Sequence, residues 1–296
     1  MRQLLFSLLL APCSLLLAQA YDVEVDGICY NIIGTRLAYV THRDFHTSEP
    51  DYTGDVVVPE YISHNGRTYH VFSVGDNAFA GCDELTSVQL PASVRAISPC
   101  AFIGCASLRE VSLPTNLQAI ANCAFTGCTS LQKIVVPRCS EFVDSLTFYC
   151  CASLTSLILP HRIQTVYGSA LEHLPSMKDL YCYASLPPVA EQGAFTLADQ
   201  KRCTLHVPRE TIDLYRKASV WSDFYRIVPL KDSEYLAQNY QKGDVNDDGK
   251  VDAEDLAMLR RIIVSLPDDS AVHWAADING DGKVNSVDYV MLAKSL

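Results

Sequence analysis

Apolar positions in the middle of this chain recur every 23 residues. Phe79, Phe102, Phe125, Phe148 and Leu171 form one column, and Leu85, Leu108, Leu131, Leu154 and Met177 a second. Cys82, Cys105, Cys128 and Cys151 keep the same step, as do Pro91, Pro114, Pro137 and Pro160. A unit this short cannot bury its own apolar face, so the pattern predicts stacking of successive units into a solenoid. Within "CASLREVSLP" apolar and polar positions alternate. Val111 and Leu113 turn inward, and Glu110 and Ser112 turn outward, as on a strand. Proline ends the strand. Leu117 and Ile120 return the chain to the core, and the "CAF" segment after them predicts a helical or irregular turn on the opposite side.

The outward strand positions should form one stacked surface. It starts with Ser87 and Gln89, passes through Glu110, Ser112, Lys133 and Val135, and continues to Asp179 and Tyr181. Such a face either binds a ligand or is plainly solvated, and the mixed residues leave both readings open. The flanks read differently. Residues 21–71 show short alternating strands, with an Asn-Gly hairpin turn in "HNGRTYHV", and predict a β-rich cap. The repeats and a closing segment run over 72–230, with a strand at Leu205-His206-Val207 and a helix over about Arg209 to Ala218. Residues 231–240 read as a linker.

The first 20 residues, "MRQLLFSLLLAPCSLLLAQA", have a basic start, a leucine-rich stretch and a small-residue end. That is the pattern of a secretory signal peptide, and it predicts a secreted or cell-surface protein. The apolar run continues past Cys13, and Pro12 precedes it, which argues against lipidation there. No later segment is long and apolar enough to span a bilayer. The net charge of −11 argues against a nucleic-acid partner.

Cysteine is informative by position. Twelve are present, and eleven remain once Cys13 is cleaved away, an odd number. There is no CxxC and no zinc-type Cys/His spacing. Equivalent residues on stacked units project parallel side chains, which disfavours disulfides. The cysteine column reads as buried free thiols acting as small apolar residues. Cys150 stands where earlier repeats have glycine and predicts a distorted repeat.

The end of the chain carries different chemistry. "GDVNDDGKVDAEDL" places Asp244, Asn246, Asp248, Lys250, Asp252 and Asp255 at loop positions 1, 3, 5, 7, 9 and 12, with Gly249 at position 6. "ADINGDGKVNSVDY" places Asp277, Asn279, Asp281, Lys283, Asn285 and Asp288 at the same positions, with Gly282 at 6. Hard oxygen ligands at this spacing suit Ca²⁺, with lysine giving only its backbone carbonyl, so two calcium ions are expected. From residue 243 onward there are eleven acidic and five basic side chains, and calcium would relieve their repulsion. The segment before Asp244 is a poor helix, whereas Leu256, Leu259, Ile262, Ile263 and Leu266 define an apolar helical face after the loop.

These residues carry two resemblances. "VFSVGDNAFAGCDELTSVQLPASVRAI" resembles the BspA-like leucine-rich repeats, and the likeness extends over about residues 22–230. It implies extracellular recognition or adhesion of an unnamed protein or glycan ligand. The duplicated loop-then-helix at 241–296, with Asp at position 12, is similar to a type I dockerin. That implies docking to a cohesin module, and many dockerin hosts degrade polysaccharides. Positions 10 and 11 are Ala253-Glu254 and Ser286-Val287, not a matched pair, which puts a two-fold duplicate docking mode in doubt. Arg260 and Arg261 are further candidate contacts.

The fold class expected is therefore α+β: a leucine-rich repeat solenoid with a β-rich cap, then a small helical calcium-binding module. The function expected is non-enzymatic, since there are no paired carboxylates in a recognisable setting, no G-x-S-x-G and no HExxH. Two alternatives stand beside it. One is an accessory or hydrolytic component of a polysaccharide-degrading complex. The other makes the dockerin an intramolecular calcium-stabilised cap.

Overall fold

A computed structural model describes residues 21–43, 52–114, 117–138, 140–230, 242–245, 251–265, 275–279 and 283–296. The expected signal peptide, the linker at 231–240, and the loop residues Asn246, Asp248, Lys250 and Asp281 lie outside the described residues.

The N-terminal segment is β-rich. Strands β1 (Val23–Val25), β2 (Ile28–Ile33) and β3 (Leu37–Thr41) form an antiparallel meander. Strands β5 (Tyr61–His64) and β6 (Arg67–Val74) form a hairpin. Its turn residues Asn65 and Gly66 both have positive φ, 50° and 71°, as a primed two-residue turn requires. The cap also starts the repeat ladders. β6 pairs in parallel with β8 (Ala96–Ile97), and β4 (Gly54–Val57) pairs in parallel with β7 (Leu85–Gln89).

Each repeat contributes one longer strand, one two-residue strand and one turn, so the core is a stack of three-sided coils. The turn side forms the spine. Phe79, Phe102, Phe125 and Phe148 are fully buried and stack at 4.9, 5.1 and 5.8 Å. Tyr52 of the cap closes one end of this stack, 4.9 Å from Phe79. Beside the rings, Cys105, Cys128 and Cys151 donate Sγ–H to the carbonyls of Phe79, Phe102 and Phe125 at 3.0, 3.1 and 3.2 Å. Each thiol thus satisfies a carbonyl one turn back while filling core volume.

The turns need left-handed backbone at two positions. One is the column Asn77, Cys100, Cys123, Leu146 and Ser169, and the other is Gly81, Gly104, Gly127, Cys150 and His173. Cys150 holds φ 59° where glycine elsewhere holds 71–76°. The distortion expected there is small: the Phe125–Phe148 rings are still only 10° from parallel.

All ten cysteines among the described residues are free thiols. Burial pushes Cys151 up to about 12, Cys203 up to about 12 and Cys182 up to about 11. A raised thiol pKa means fewer thiolates at any given pH, and the thiolate is the reactive form. At pH 8, a disulfide-exchange reagent is expected to label the partly exposed Cys100, Cys123 and Cys150 first. The buried column should label only as fast as the chain opens. The same shift makes stability full below the unfolded thiol pKa of about 9 and progressively lost as pH rises toward 12. Melting curves across that window check the sign.

The stacked outer face is interrupted, which corrects the expectation of one continuous surface. β4, β7 and β9 (Glu110–Ser112) form one sheet. A second begins at β11 (Lys133–Val135) and continues through β13 (Ser156–Leu159), β15 (Asp179–Cys182), β17 (Thr204–Val207) and β18 (Arg226–Pro229). The short-strand ladder breaks at the same junction. It runs from β6 through β8 to β10 (Ala119–Ile120), then restarts at β12 (Phe142–Val143) with β14 (Thr165–Val166) and β16 (Val189–Ala190). Among the described residues the spine crosses without interruption, with Phe102 N–H donating to Ala124 O and Gly104 N–H to Thr126 O, both at 2.8 Å. Beside it Thr129 Oγ1–H donates to Ala106 O at 3.2 Å, and Gln132 N–H makes a long bond of 3.5 Å to Arg109 O. The sequence supplies the cause. Ser140 stands where Val94, Leu117 and Ile163 anchor the other repeats, and Phe142 stands where Ala96 and Ala119 pack. A small polar anchor beside a bulky, exposed ring removes the burial that would draw the two ladders together.

The far end of the solenoid is closed by aromatic side chains. Trp221 donates Nε1–H to Pro188 O at 2.7 Å, and Tyr215 donates its hydroxyl to Ala184 O at 3.0 Å. The expected helix over Arg209 to Ala218 is instead a 3-10 turn, Arg209–Thr211, leading into one α-helical turn, Ile212–Tyr215. Thr211 breaks the helical run between them by bonding back to Pro208 O.

Beyond it lie two longer helices, α3 (Ala253–Ser265) and α4 (Ser286–Ser295). The helices α1 (Leu197–Arg202) and α2 (Ile212–Tyr215) belong to the solenoid's closing segment. α3 and α4 share their own core of Leu259, Ile262, Val284 and Leu292, distinct from the solenoid core.

Candidate functional site

The C-terminal module is built twice on one plan with a step of 33 residues: Val251 matches Val284, and Leu259 matches Leu292. Its chemistry lies in four buried carboxylates. Asp244, Asp255, Asp277 and Asp288 are 3%, 0%, 8% and 0% exposed. Buried carboxylates need a compensating charge or several donors. Each position-12 aspartate closes its loop. Asp255 accepts from Val245 N–H at 2.7 Å through Oδ1 and from Asp252 N–H at 2.8 Å through Oδ2. Asp288 accepts from Asn279 N–H at 3.2 Å and from Asn285 N–H at 2.9 Å.

The position-9 residues serve the helices. Asp252 Oδ1 accepts from Glu254 N–H, and Asn285 Oδ1 from Val287 N–H, each at 2.8 Å. Asn285 and Asp288 form a reciprocal cap on α4. Each loop therefore ends as the first turn of a helix, which explains why a helix follows each loop.

Lys242 donates Nζ–H to the Asp277 carbonyl, joining the first loop's entry to the second loop. Burial lowers its pKa, while Asp277 and Asp288 act in the opposite sense. Among the described loop residues, the structure brings Asp244, Asp252 and Asp255 to one loop and Asp277, Asn279, Asn285 and Asp288 to the other. Lys283 is exposed at the latter's edge. The oxygen donor types suit a hard cation such as Ca²⁺, but among the described residues no group of three or more His, Cys, Asp or Glu side chains is clustered to hold a metal ion.

The helix surfaces differ. Ala253, Glu254, Arg260 and Arg261 are exposed on α3, and Ser286 and Val287 on α4. Val290 and Met291 extend Val287 into an exposed apolar stripe on α4, at 48%, 41% and 51% respectively. The equivalent positions on α3 are Ala257, Met258 and Glu254. Sequence reasoning from positions 10 and 11 missed Val290 and Met291. Their signal was an i, i+3, i+4 apolar spacing lying off the buried face.

On the repeats, the sheet interruption opens a groove of about 460 Å³ between β9 and β11. Arg109, Glu110, Gln132, Lys133, Val135 and Arg138 are on its walls. Glu110, Lys133 and Val135 were expected on the outward face. Ser112 is exposed at the end of β9 but is not on the groove wall. The face changes character across the groove. On the near side Gln89 pairs with Ser112. On the far side Val135, Ile158, Tyr181, His206 and Val228 follow in register. Tyr181 and His206 stack at 4.4 Å, and His206 Nε2 lies 2.8 Å from Asp179 Oδ1. Because the rings stack along the ladder, they present edges outward.

Taken together, these features define the class: a leucine-rich repeat solenoid carrying a duplicated calcium-loop module. Residues 72–196 match the BspA type leucine rich repeat region in six copies, and residues 242–296 match the dockerin type I domain. The chain thus combines a BspA-type leucine-rich repeat region with a type I dockerin. Both are protein-interaction modules, and no enzymatic domain is found.

No curated protein matches the chain. Among solved structures it is similar to a leucine rich cell surface protein from Faecalibacterium prausnitzii A2-165. That match has 20% identity and a TM-score of 0.48, over 62% of this chain and 54% of that one. It is also similar to the pneumococcal vaccine antigen PcpA, with 19% identity and a TM-score of 0.55, over 72% of this chain and 48% of that one. The chain therefore spans about half the length of each. The likeness to PcpA shows the fold. No helix among the described residues is long and apolar enough to cross a membrane.

Proposed function

We propose that this is a secreted, non-enzymatic recognition protein. Its repeats bind an extracellular protein or glycan at the groove and the adjoining apolar row, and its calcium-loaded dockerin attaches it to a cohesin-bearing partner. Asp244, Asn246, Asp248, Lys250, Asp252 and Asp255 would hold one ion. Asp277, Asn279, Asp281, Lys283, Asn285 and Asp288 would hold the other. Calcium fixes each loop against its following helix and so presents the helix surfaces in one orientation.

The observation that carries the docking reading is the exposed Val287–Val290–Met291 stripe on a helix whose first turn is tied to a calcium loop. α3 offers Glu254, Ala257 and Met258 in the same places, so the two halves are not interchangeable, and α4 is the apolar contact. The cap alternative is disfavoured by the separate cores of the dockerin and the solenoid.

The test is capture of the whole secreted chain by a panel of cohesins, with and without calcium. Capture is expected only with calcium. Val290→Asp, an exposed change that spares the core, should weaken it about thirtyfold, the size of a hot-spot loss near 2 kcal/mol. Capture by no cohesin, or equal capture in chelator, refutes the docking reading.

A further inference from the structure

We propose that Cys100 and Cys123 form an oxidation site, which a small-molecule disulfide converts into a reversible covalent staple across the interrupted junction of the solenoid. The two residues hold the same place on successive turns, and both are left-handed, at φ 57° and 59°. Cys100 N–H donates to Asn122 O at 3.1 Å, and Phe102 N–H donates to Ala124 O at 2.8 Å. These bonds lock the turns in register, with one cysteine stacked on the other. Burial and the adjacent Cys123 thiol push the Cys100 thiol up, so the side chains are neighbours as well as the backbones. Both are partly exposed, and an external reagent can reach them.

The pairing is specific. Asn77 and Leu146 fill the same place on the turns before and after, so among the described residues neither cysteine has another thiol in its column. Cys105, Cys128 and Cys151 are buried, and each donates to a carbonyl one turn back. Cys150 stands in the glycine column, between Gly127 and His173. The position of the pair gives it a role. Cys100 belongs to the unit of β9 and β10, and Cys123 to the unit of β11 and β12. Between those two units both strand ladders stop. A covalent bond here ties the halves where ladder pairing is missing, and it joins the two units whose strands wall the groove.

The chemistry is thiol–disulfide exchange. One cysteine thiolate attacks a sulfur of the external disulfide, forms a mixed disulfide and releases one small thiol. The second cysteine loses its proton and attacks the protein sulfur of that mixed disulfide. The Sγ–Sγ bond closes and the second small thiol leaves. The two cysteines give up two protons and two electrons, and the reagent takes up both. Stacked rungs lie about 4.8 Å apart, whereas a disulfide holds its Cβ atoms about 3.5–4.5 Å apart. Closure therefore draws the turns together, and a bond under that strain is readily reduced again. Parallel projection thus makes this bond reversible. The secretion reading supplies the oxidising surroundings, and the site depends on neither docking nor ligand binding.

The test equilibrates the mature chain with reduced and oxidised glutathione, quenches it by alkylation and maps the linked peptides. Cys100→Asn and Cys123→Asn are the controls, because Asn77 already holds that left-handed place one turn earlier. The wild type is expected to join Cys100 to Cys123, and excess reduced glutathione should reopen the bond. Each variant should stop at a mixed glutathione disulfide on its remaining cysteine. Closure should also slow alkylation of the buried Cys128 at least about tenfold, as a crosslink that restrains opening of the junction requires. A wild type that carries glutathione on both cysteines, or links either one to Cys139 or Cys150, overturns the site. A Cys100–Cys123 bond that leaves Cys128 alkylation unchanged overturns the staple. A chain that closes this bond but is captured by no cohesin supports the site and loses the docking reading alone.

Discussion

Phe125→Ala is expected to destabilise the solenoid by about 3–5 kcal/mol, the usual loss for a fully buried phenylalanine, and to split its unfolding into two steps. The first expectation follows from burial, because Phe125 is 0% exposed and stacks on Phe102 and Phe148. The second follows from where it stands. A solenoid is stabilised by each unit and by the interface to its neighbour, so it unfolds as one body only while every interface is strong. At the junction between Phe102 and Phe125 both strand ladders are interrupted, and the spine carries most of the coupling. Removing the ring there weakens the interface with the least in reserve. Phe79→Ala is the control. It removes the same side chain from the same column, but β7 and β9 remain paired beside it. It should lower stability by a similar amount and leave a single transition. Denaturant titrations followed by circular dichroism give the comparison. A single sharp transition for Phe125→Ala would mean that the interrupted ladders still couple the halves.

The periodic columns were legible because each one repeats a single physical requirement. Phe79, Phe102, Phe125 and Phe148 read as one spine from the 23-residue step alone, and the structure stacks them. The glycine column was equally plain, and Cys150 was visible as its exception. Its small effect was not visible, because φ 59° is tolerated where the neighbouring turns hold the backbone in place. The second ladder was hidden by its length. Ala96–Ile97 and Ala119–Ile120 are two-residue strands, too short for an alternation to register. The groove was hidden differently. Its cause is one serine in an apolar column and one phenylalanine in an alanine column, read from Ser140 and Phe142 only once the register is known. In the dockerin the loop motif was local and therefore readable, and the dockerin type I match spans both loops. The apolar stripe on α4 depends on which helix face is buried, and that was settled only by the packing of Leu292 against Leu259 and Ile262.

Removing calcium is expected to unfold the dockerin while leaving the repeats folded, and Asp255→Ala combined with Asp288→Ala should do the same in saturating calcium. The carboxylates Asp244, Asp255, Asp277 and Asp288 are buried within a module of small core. Ionised groups in such a place repel unless a cation stands among them. If each loop binds with a dissociation constant of about 10 μM, about 1 mM calcium contributes roughly 2.7 kcal/mol per site. Two sites then rival the whole stability expected of so small a domain. Asp255 and Asp288 each also hold two backbone N–H groups, so alanine removes a metal ligand and leaves buried donors without acceptors, at about 1–3 kcal/mol more. The helix caps fail together with the loops, because Asp288 belongs to both. Two melting transitions are expected in calcium. The dockerin transition should disappear in chelator and in the double variant, while the solenoid transition stays within a degree or two. The separate cores require that independence. A solenoid transition that fell together with the dockerin would instead make the calcium module a structural cap of the repeats.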